Sequence, residues 1–204
     1  MKWFYELLYS RFRAPWDIGP RTELVEMVKS GRIQPCRAID LGSGTASNAI
    51  FLAQHRFDVT GVDFAQAAVE LGRTRAQAAG VKVNFVQDDL THLSHDYGTF
   101  DFLVDYGVLD DLTPPDRDKY LHSVLPLTHP GSIFMLYCFE WRLRWWERLL
   151  KRLFFFAADW VLEPGEAERR FGEYFEIERT GTPVDYTHFP PGEAVYWMTR
   201  KNGR

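Results

Sequence analysis

The stretch 37–46 constrains the fold more than any other part of the chain. It reads Arg-Ala-Ile-Asp-Leu-Gly-Ser-Gly-Thr-Ala. Residues 38–41 are apolar apart from one acid, which predicts a short buried strand over 37–41. Gly42 and Gly44 then permit a tight turn, because a residue without a Cβ adopts φ values that others avoid. Apolar residues at helical spacing follow over 46–54. A strand, a glycine turn and a helix N-terminus together form a nucleotide-type site at the carboxyl edge of a sheet.

The residues around this turn favour one kind of ligand. A dinucleotide fingerprint, G-x-G-x-x-G, requires a third glycine where this chain has Ser47. Asp40, two residues before the first glycine, suits a ligand whose cationic or amino end lies above the turn. Both features favour the amino-acid half of S-adenosylmethionine (SAM) over a pyrophosphate. A nicotinamide-dependent reductase and a turn without a ligand are the alternatives.

Length and composition limit the class of protein. The 204 residues fit one domain, 1–204, with a sizeable core. A net charge of -4 argues against nucleic acid as a partner, because phosphate binding depends on basic surface. Cys36 and Cys138 are isolated, which predicts reduced thiols and a cytoplasmic setting. We expect no metal site, and we interpret His92 and His95 as solvated loop residues.

Strands and helices alternate after residue 36. The predicted strands are 37–41, 58–62, 82–87, 100–105 and 132–139, and the predicted intervening helices are 46–54, 65–79 and 114–127. Such alternation predicts an α/β, Rossmann-like parallel sheet with right-handed crossovers and helices on both faces. Two closing strands, 174–179 and 194–200, follow a break in this rhythm.

Acids end successive strands, and ligands of open α/β sheets bind at those ends. Asp63 follows the first glycine by about 20 residues, the spacing at which an acid reaches ribose hydroxyls. Asp88 and Asp89 end the third strand, where a carboxylate can accept from an adenine amino group. Leu90 and Phe64 offer apolar faces to the ring. For any single acid, a solvated strand-end carboxylate is the alternative.

With these residues in place, the chain resembles the class I SAM-dependent methyltransferases over roughly 37–139. The matching motifs are Asp40-Leu41-Gly42-Ser43-Gly44, Val62-Asp63, Asp88-Asp89-Leu90, the run 100–109 and the turn 129–132. Ala46 departs from the pattern, since many members have a third glycine there. The resemblance implies SAM as cofactor and seven strands with the last one antiparallel.

Residues 15–19, Pro-Trp-Asp-Ile-Gly, are similar to thiopurine-type, tellurite-resistance and thiol or halide methyltransferases. In that group the N-terminal segment closes over cofactor and substrate, which implies a helical cap over 1–36 and a contact between Trp16 and the cofactor. An aromatic plug under an N-terminal turn is the alternative for Trp16.

Asp105 and Tyr106, at the end of the fourth strand, are the candidates to contact the donor or the acceptor, and ordering of the cofactor is favoured over acid–base catalysis.

An aromatic and basic helical insertion over 139–172 is the part that the superfamily explains least. Arginines and lysines alternate with Trp and Phe over 141–156, which is typical of a helix packed on the sheet, a pocket lid or an interfacial membrane helix.

Together, the motifs of the whole chain predict a SAM-dependent methyltransferase acting on a small, apolar or thiol-bearing molecule. A non-catalytic SAM- or membrane-binding protein is the alternative beside the reductase.

Overall fold

The computed structural model describes residues 2–11, 17–141, 161–180 and 192–202. Trp16, most of the 139–172 insertion and the loop that joins the two closing strands lie outside these residues. The interpretations of Trp16 and of the basic, aromatic segment therefore stay predictions.

The strands form one seven-stranded sheet in the order β3-β2-β1-β4-β5-β7-β6. Neighbours from β3 to β5 pair in parallel, and β7 pairs antiparallel with both β5 and β6. The predicted mostly parallel sheet with an antiparallel last strand is thus confirmed. The strands are β1 (Arg37–Leu41), β2 (Asp58–Asp63), β3 (Asn84–Gln87), β4 (Phe100–Tyr106), β5 (Thr128–Glu140), β6 (Phe175–Thr180) and β7 (Gly192–Arg200).

Helices cover both faces of the sheet. Neighbouring side chains of a strand point to opposite faces, so one strand contributes to the core on each side. Phe102 and Val104 of β4 join the core beneath α2, α3 and α4, whereas Leu103 joins the core beneath α5 and α6. The helices are α1 (Lys2–Arg11), α2 (Thr22–Lys29), α3 (Ser47–Gln54), α4 (Gln66–Ala78), α5 (Pro114–Val124) and α6 (Glu166–Phe171), with a 3-10 turn at Leu125–Leu127.

The structure corrects the predicted start of β5. The strand begins at Thr128 rather than at Ser132, and its register against β4 shifts between Phe100 and Phe102. Gly131 has a φ of 88° within the irregular part. The Ser132 hydroxyl donates to the Phe100 carbonyl and accepts from the backbone N–H of residue 129, so a side chain holds the bulge that the prediction treated as a turn.

Helix α5 begins at Pro114, as predicted. Thr113 precedes the helix in an extended conformation, as a capping residue does, but its hydroxyl donates to the Asp116 carboxylate and makes no capping bond to the backbone. Cys36 and Cys138 are both free thiols. Among the described residues, no helix is long and apolar enough to cross a membrane.

Candidate active site

The glycine turn lies at the carboxyl edge of the sheet, between β1 and α3. The backbone N–H groups of Gly42 and Ser43 both donate to the Val62 carbonyl, at 2.8 and 2.9 Å, which ties the turn to the neighbouring β2. Gly42 has a φ of 69°, and a Cβ built on it would lie 2.2 Å from Val108 Cγ2. The loop after β4 therefore packs directly on the turn, at a distance that only glycine allows.

Ala46 explains why a third glycine is frequent at this position in the superfamily. Its φ is 63° and its ψ 16°, a left-handed conformation at the N-cap of α3. The side chain is fully buried, so the fold tolerates one methyl group there despite the backbone strain. Beside it, the Ser43 hydroxyl is buried without a hydrogen-bond partner among the described residues.

Asp40 and Asp63 lie on the two sides of this turn, and both are buried. One Asp40 oxygen accepts from the Ala49 N–H at 3.1 Å, and Asp63 accepts from Gly44 and Ala65 N–H groups at 2.9 Å each. Burial raises the pKa of Asp40 to about 7 and that of Asp63 to about 6, although these hydrogen bonds lower both. The two carboxyls shape the turn, and each carboxylate oxygen can accept a second hydrogen bond.

The two acids after β3 have different roles. The Asp88 carboxylate accepts from the Tyr97 hydroxyl, from the His95 ring and from Ser94 at 2.8–3.2 Å. Burial by itself would raise the pKa of Asp88, but these donors hold it below its usual range. These bonds use both Asp88 oxygens to hold the loop over 88–97, and the contact of Asp88 with adenine stays a prediction. The Asp89 carboxylate accepts from the backbone N–H and the hydroxyl of Thr91, at 3.0 and 2.8 Å.

The apolar groups predicted for the adenine ring are also separated. Leu90 is 7% exposed and belongs to the core beneath α5, so it faces the sheet interior. Phe64, directly after Asp63, is half-buried and packs edge-on against Tyr5, with ring centroids 5.7 Å apart. Of the two, Phe64 lies beside the carboxyls of the turn.

Asp105 and Tyr106 point to opposite faces of β4, so they do not act as a pair. Asp105 is fully buried and accepts from the Tyr120 hydroxyl at 2.6 Å and from the Val108 N–H at 2.8 Å. Burial raises its pKa to about 7. Asp105 thus holds the loop after β4 against α5, and its contact with the donor or the acceptor stays a prediction. Tyr106 instead faces α2 and contacts Arg21.

Helix α1 packs over the carboxyl edge, with contacts that sequence reasoning did not predict. The Tyr5 hydroxyl donates to Asp111 in the loop after β4. Glu6 accepts from the N–H of Ala67 in the first turn of α4 at 3.1 Å. The Tyr9 hydroxyl lies 2.8 Å from where a Cβ on Gly44 would stand. One helix thus contacts the glycine turn, the loop after β2 and the loop after β4.

An ion pair holds residue 17 next to the same turn. The Arg75 guanidinium donates to both Asp17 carboxylate oxygens, at 2.9 and 2.8 Å, and to the Thr45 carbonyl at 3.1 Å. Asp17 belongs to the Pro-Trp-Asp-Ile-Gly run, and Arg75 connects this residue of the run to α4 and to the glycine turn. No signal in the sequence joined Arg75 to this run, since the two residues are 58 positions apart.

Comparisons with known proteins agree with this geometry. Residues 38–131 match the family described as "Methyltransferase domain". The 2-heptyl-1-hydroxyquinolin-4(1H)-one methyltransferase of Mycobacteroides abscessus is 26% identical over 130 residues, which are 63% of this chain and 57% of that enzyme. The chain therefore spans a little over half the length of that relative.

Solved structures share the fold over almost the whole chain. A protein studied for the conversion of a disulfide bond into a thioacetal group during echinomycin biosynthesis has a TM-score of 0.75 and 21% identity, with 99% of this chain and 92% of that chain covered. Magnesium protoporphyrin IX methyltransferase from Synechocystis, with bound S-adenosylhomocysteine (SAH), has a TM-score of 0.68 and 21% identity, with 88% and 81% covered. The solved structures therefore show the fold of this chain, and residues 38–131 match a methyltransferase domain.

Proposed function

We propose that this protein transfers the methyl group of SAM to a small molecule that is apolar or bears a thiol. One observation carries the proposal: two buried carboxyls, Asp40 and Asp63, flank a glycine turn beside the buried Ser43 hydroxyl, which has no partner in the part of the chain that the structure describes. A ligand with several hydrogen-bonding groups and a positive charge matches this set. A pyrophosphate does not, because it would meet two acids.

The described residues fit the cofactor in the following way. Asp63 accepts from ribose hydroxyls, Asp89 accepts from the adenine amino group, and Phe64 packs on the ring. Ser43 and the turn backbone bind the amino-acid end. When bound, SAM supplies an already activated methyl group, so the chain mainly has to align an acceptor and exclude water. Such positioning contributes roughly 7–11 kcal/mol and requires no nucleophilic triad.

The acceptor is proposed on chemical grounds. The M. abscessus relative is named for a hydroxyquinolone with a heptyl chain, which combines an apolar body with a hydroxyl and a carbonyl group. We further propose the finer likeness to the thiopurine, tellurite-resistance and thiol methyltransferases, in which Trp16 would contact the cofactor. Incubation with methyl-labelled SAM and a panel of thiols, phenols, quinones, halides and hydroxyquinolones tests both. Label in none of the products, with SAM bound, would favour a non-catalytic SAM-binding protein.

Replacing Asp63 by alanine should weaken SAM binding by about 1–3 kcal/mol, the scale of a lost charge-assisted hydrogen bond. Isothermal titration calorimetry gives the Kd, and a thermal melt verifies folding, because Asp63 also holds Gly44 and Ala65. Asp58→Ala is the matched control, since Asp58 is an exposed acid at the opposite end of β2. Equal affinities of the two folded variants would refute the ribose assignment.

Binding of SAM should release protons and strengthen as the pH rises. Asp40 and Asp63 have pKa values of about 7 and 6 because they are buried, and a sulfonium cation beside them favours their charged forms. The affinity for SAM should therefore increase from pH 5.5 to about 7.5 and then level off. SAH, which lacks the positive charge, should show a shallower dependence. A SAM-to-SAH affinity ratio that is constant over this range would contradict the arrangement.

Contact with a membrane surface through 141–156 is a separate proposal, based on the alternation of basic and aromatic residues there. Trp145→Ala combined with Trp146→Ala should reduce co-sedimentation with anionic liposomes. Wild-type protein that stays in the supernatant ends this proposal and leaves methyl transfer unaffected.

A further inference from the structure

Arg21 lies at the carboxyl edge of the sheet, next to the helix that follows the glycine turn. It is the N-cap residue of α2, and its backbone N–H donates to the Asn48 side chain at 3.1 Å. Asn48 lies in the first turn of α3, directly after the glycine turn. Arg21 therefore stands between the start of α3 and the ends of β4 and β5.

Two tyrosine rings enclose its guanidinium. The guanidinium carbon lies 4.3 Å from the ring centre of Tyr106 and 4.2 Å from that of Tyr137, which are themselves 4.5 Å apart. Only 11% of the Arg21 side chain is exposed. Contact with aromatic faces partly compensates a buried cation, and it fixes the plane of the guanidinium.

Among the described residues, the guanidinium has one long ion pair, to an exposed carboxylate. It has five N–H donors, and one of them binds the Tyr106 hydroxyl at 2.8 Å. The carboxylate of Glu193 is the one that comes within ion-pair distance among the described residues, at 4.0 Å, and that side chain is 60% exposed. Nε is buried and has no acceptor among the residues that the structure describes. A buried charge with unpaired donors is costly unless a ligand completes it.

We propose that Arg21 is an anion-binding residue that holds one carboxylate or similar oxyanion at this edge. The flat, five-donor fork suits two-oxygen acceptors better than a single point charge. The inference rests on the proposed function, because the ligands of a methyltransferase supply such a group from two sources. One is the carboxylate at the amino-acid end of the cofactor, and the other is an acidic group on the acceptor.

Calorimetry on Arg21→Gln distinguishes the two sources. SAH and 5′-methylthioadenosine share the adenosine and the thioether, but only SAH has the carboxylate. If Arg21 holds the cofactor, the variant binds SAH about 10–100-fold more weakly and binds methylthioadenosine as the wild type does. If it holds the acceptor, SAH affinity is unchanged, and binding of benzoate or 2-naphthoate to the SAH complex is lost.

Lys29→Gln is the matched control, because it removes one positive charge from an exposed position of the same helix. Arg21→Lys keeps the charge without the fork, so it gives a second folded variant in which affinity should fall by a smaller factor. Equal weakening of SAH and methylthioadenosine, or no change in any titration, overturns the anion site. Wild-type protein that binds neither nucleoside refutes the proposed function instead. In that case the titration with aromatic carboxylates still tests the anion site. Binding by the wild type that is lost in Arg21→Gln supports the site, and a wild type that binds no aromatic carboxylate overturns it.

Discussion

Gly42→Ala should abolish measurable SAH binding and lower the free energy of unfolding by about 2–5 kcal/mol. Two costs add up at this position. An L-residue in the left-handed region costs roughly 1–2 kcal/mol, and forced overpacking typically costs about 1–3 kcal/mol more. The new methyl group would stand 2.2 Å from Val108 Cγ2, so the loop after β4 must move away from the turn. Guanidinium chloride unfolding and calorimetry with SAH measure the two effects.

Gly80→Ala separates the two costs. Gly80 ends α4 with a φ of 67°, close to that of Gly42, but no heavy atom lies within 4 Å of a Cβ built there. It should lose only the conformational part and keep its affinity for SAH. Adding Val108→Ala to Gly42→Ala removes the overlapping methyl group and should restore part of the stability. Similar losses in both glycine variants, with SAH affinity retained, would show that Gly42 serves only the turn.

The sheet was predictable because its signals are local. Strand 37–41, the glycine turn and the alternation up to 139 each depend on a few neighbouring residues, and all five of these strands exist in the structure. Gly31 and Gly80, glycines at helix ends, both have positive φ, which glycine adopts without strain. The bulge at the start of β5 was missed because a hydrogen bond from Ser132 to a carbonyl 32 positions away maintains it.

The direction of side chains at the site was less predictable, because distant partners decide it. In the sequence, Asp105 and Tyr106 form one group because both lie at a strand end. In the structure Asp105 binds Tyr120 of α5, whereas Tyr106 binds Arg21 at the start of α2. Asp88 and Asp89 look equivalent in the sequence, and only the loop with Tyr97 distinguishes them. Tyr5 reaches a carboxylate 106 positions away, and neither residue type nor spacing indicates such a contact.

Arg117→Met should lower the free energy of unfolding by about 3–5 kcal/mol, the usual cost of removing one partner from a buried ion pair. Arg117 is 3% exposed and binds the Glu166 carboxylate at 3.1 Å. It also donates to the Leu109 and Asp110 carbonyls at 3.1 Å each, in the loop that places Val108 on the glycine turn. SAH binding should therefore weaken together with stability, although Arg117 lies on the far side of that loop.

The loss should also depend on pH in a defined direction. Burial alone would raise the pKa of Glu166, but the charge of Arg117 and a hydrogen bond from Arg170 hold it below the ordinary value of 4.5. The stabilisation is thus complete above that value and disappears as the pH falls through the lower folded-state pKa. The difference between wild type and Arg117→Met should narrow in acid. Lys119→Met, on the exposed side of the same helix, is the control and should leave the unfolding midpoint unchanged. A loss in Arg117→Met no larger than in this control, or one independent of pH, would mean that the buried pair does not hold the loop over the turn.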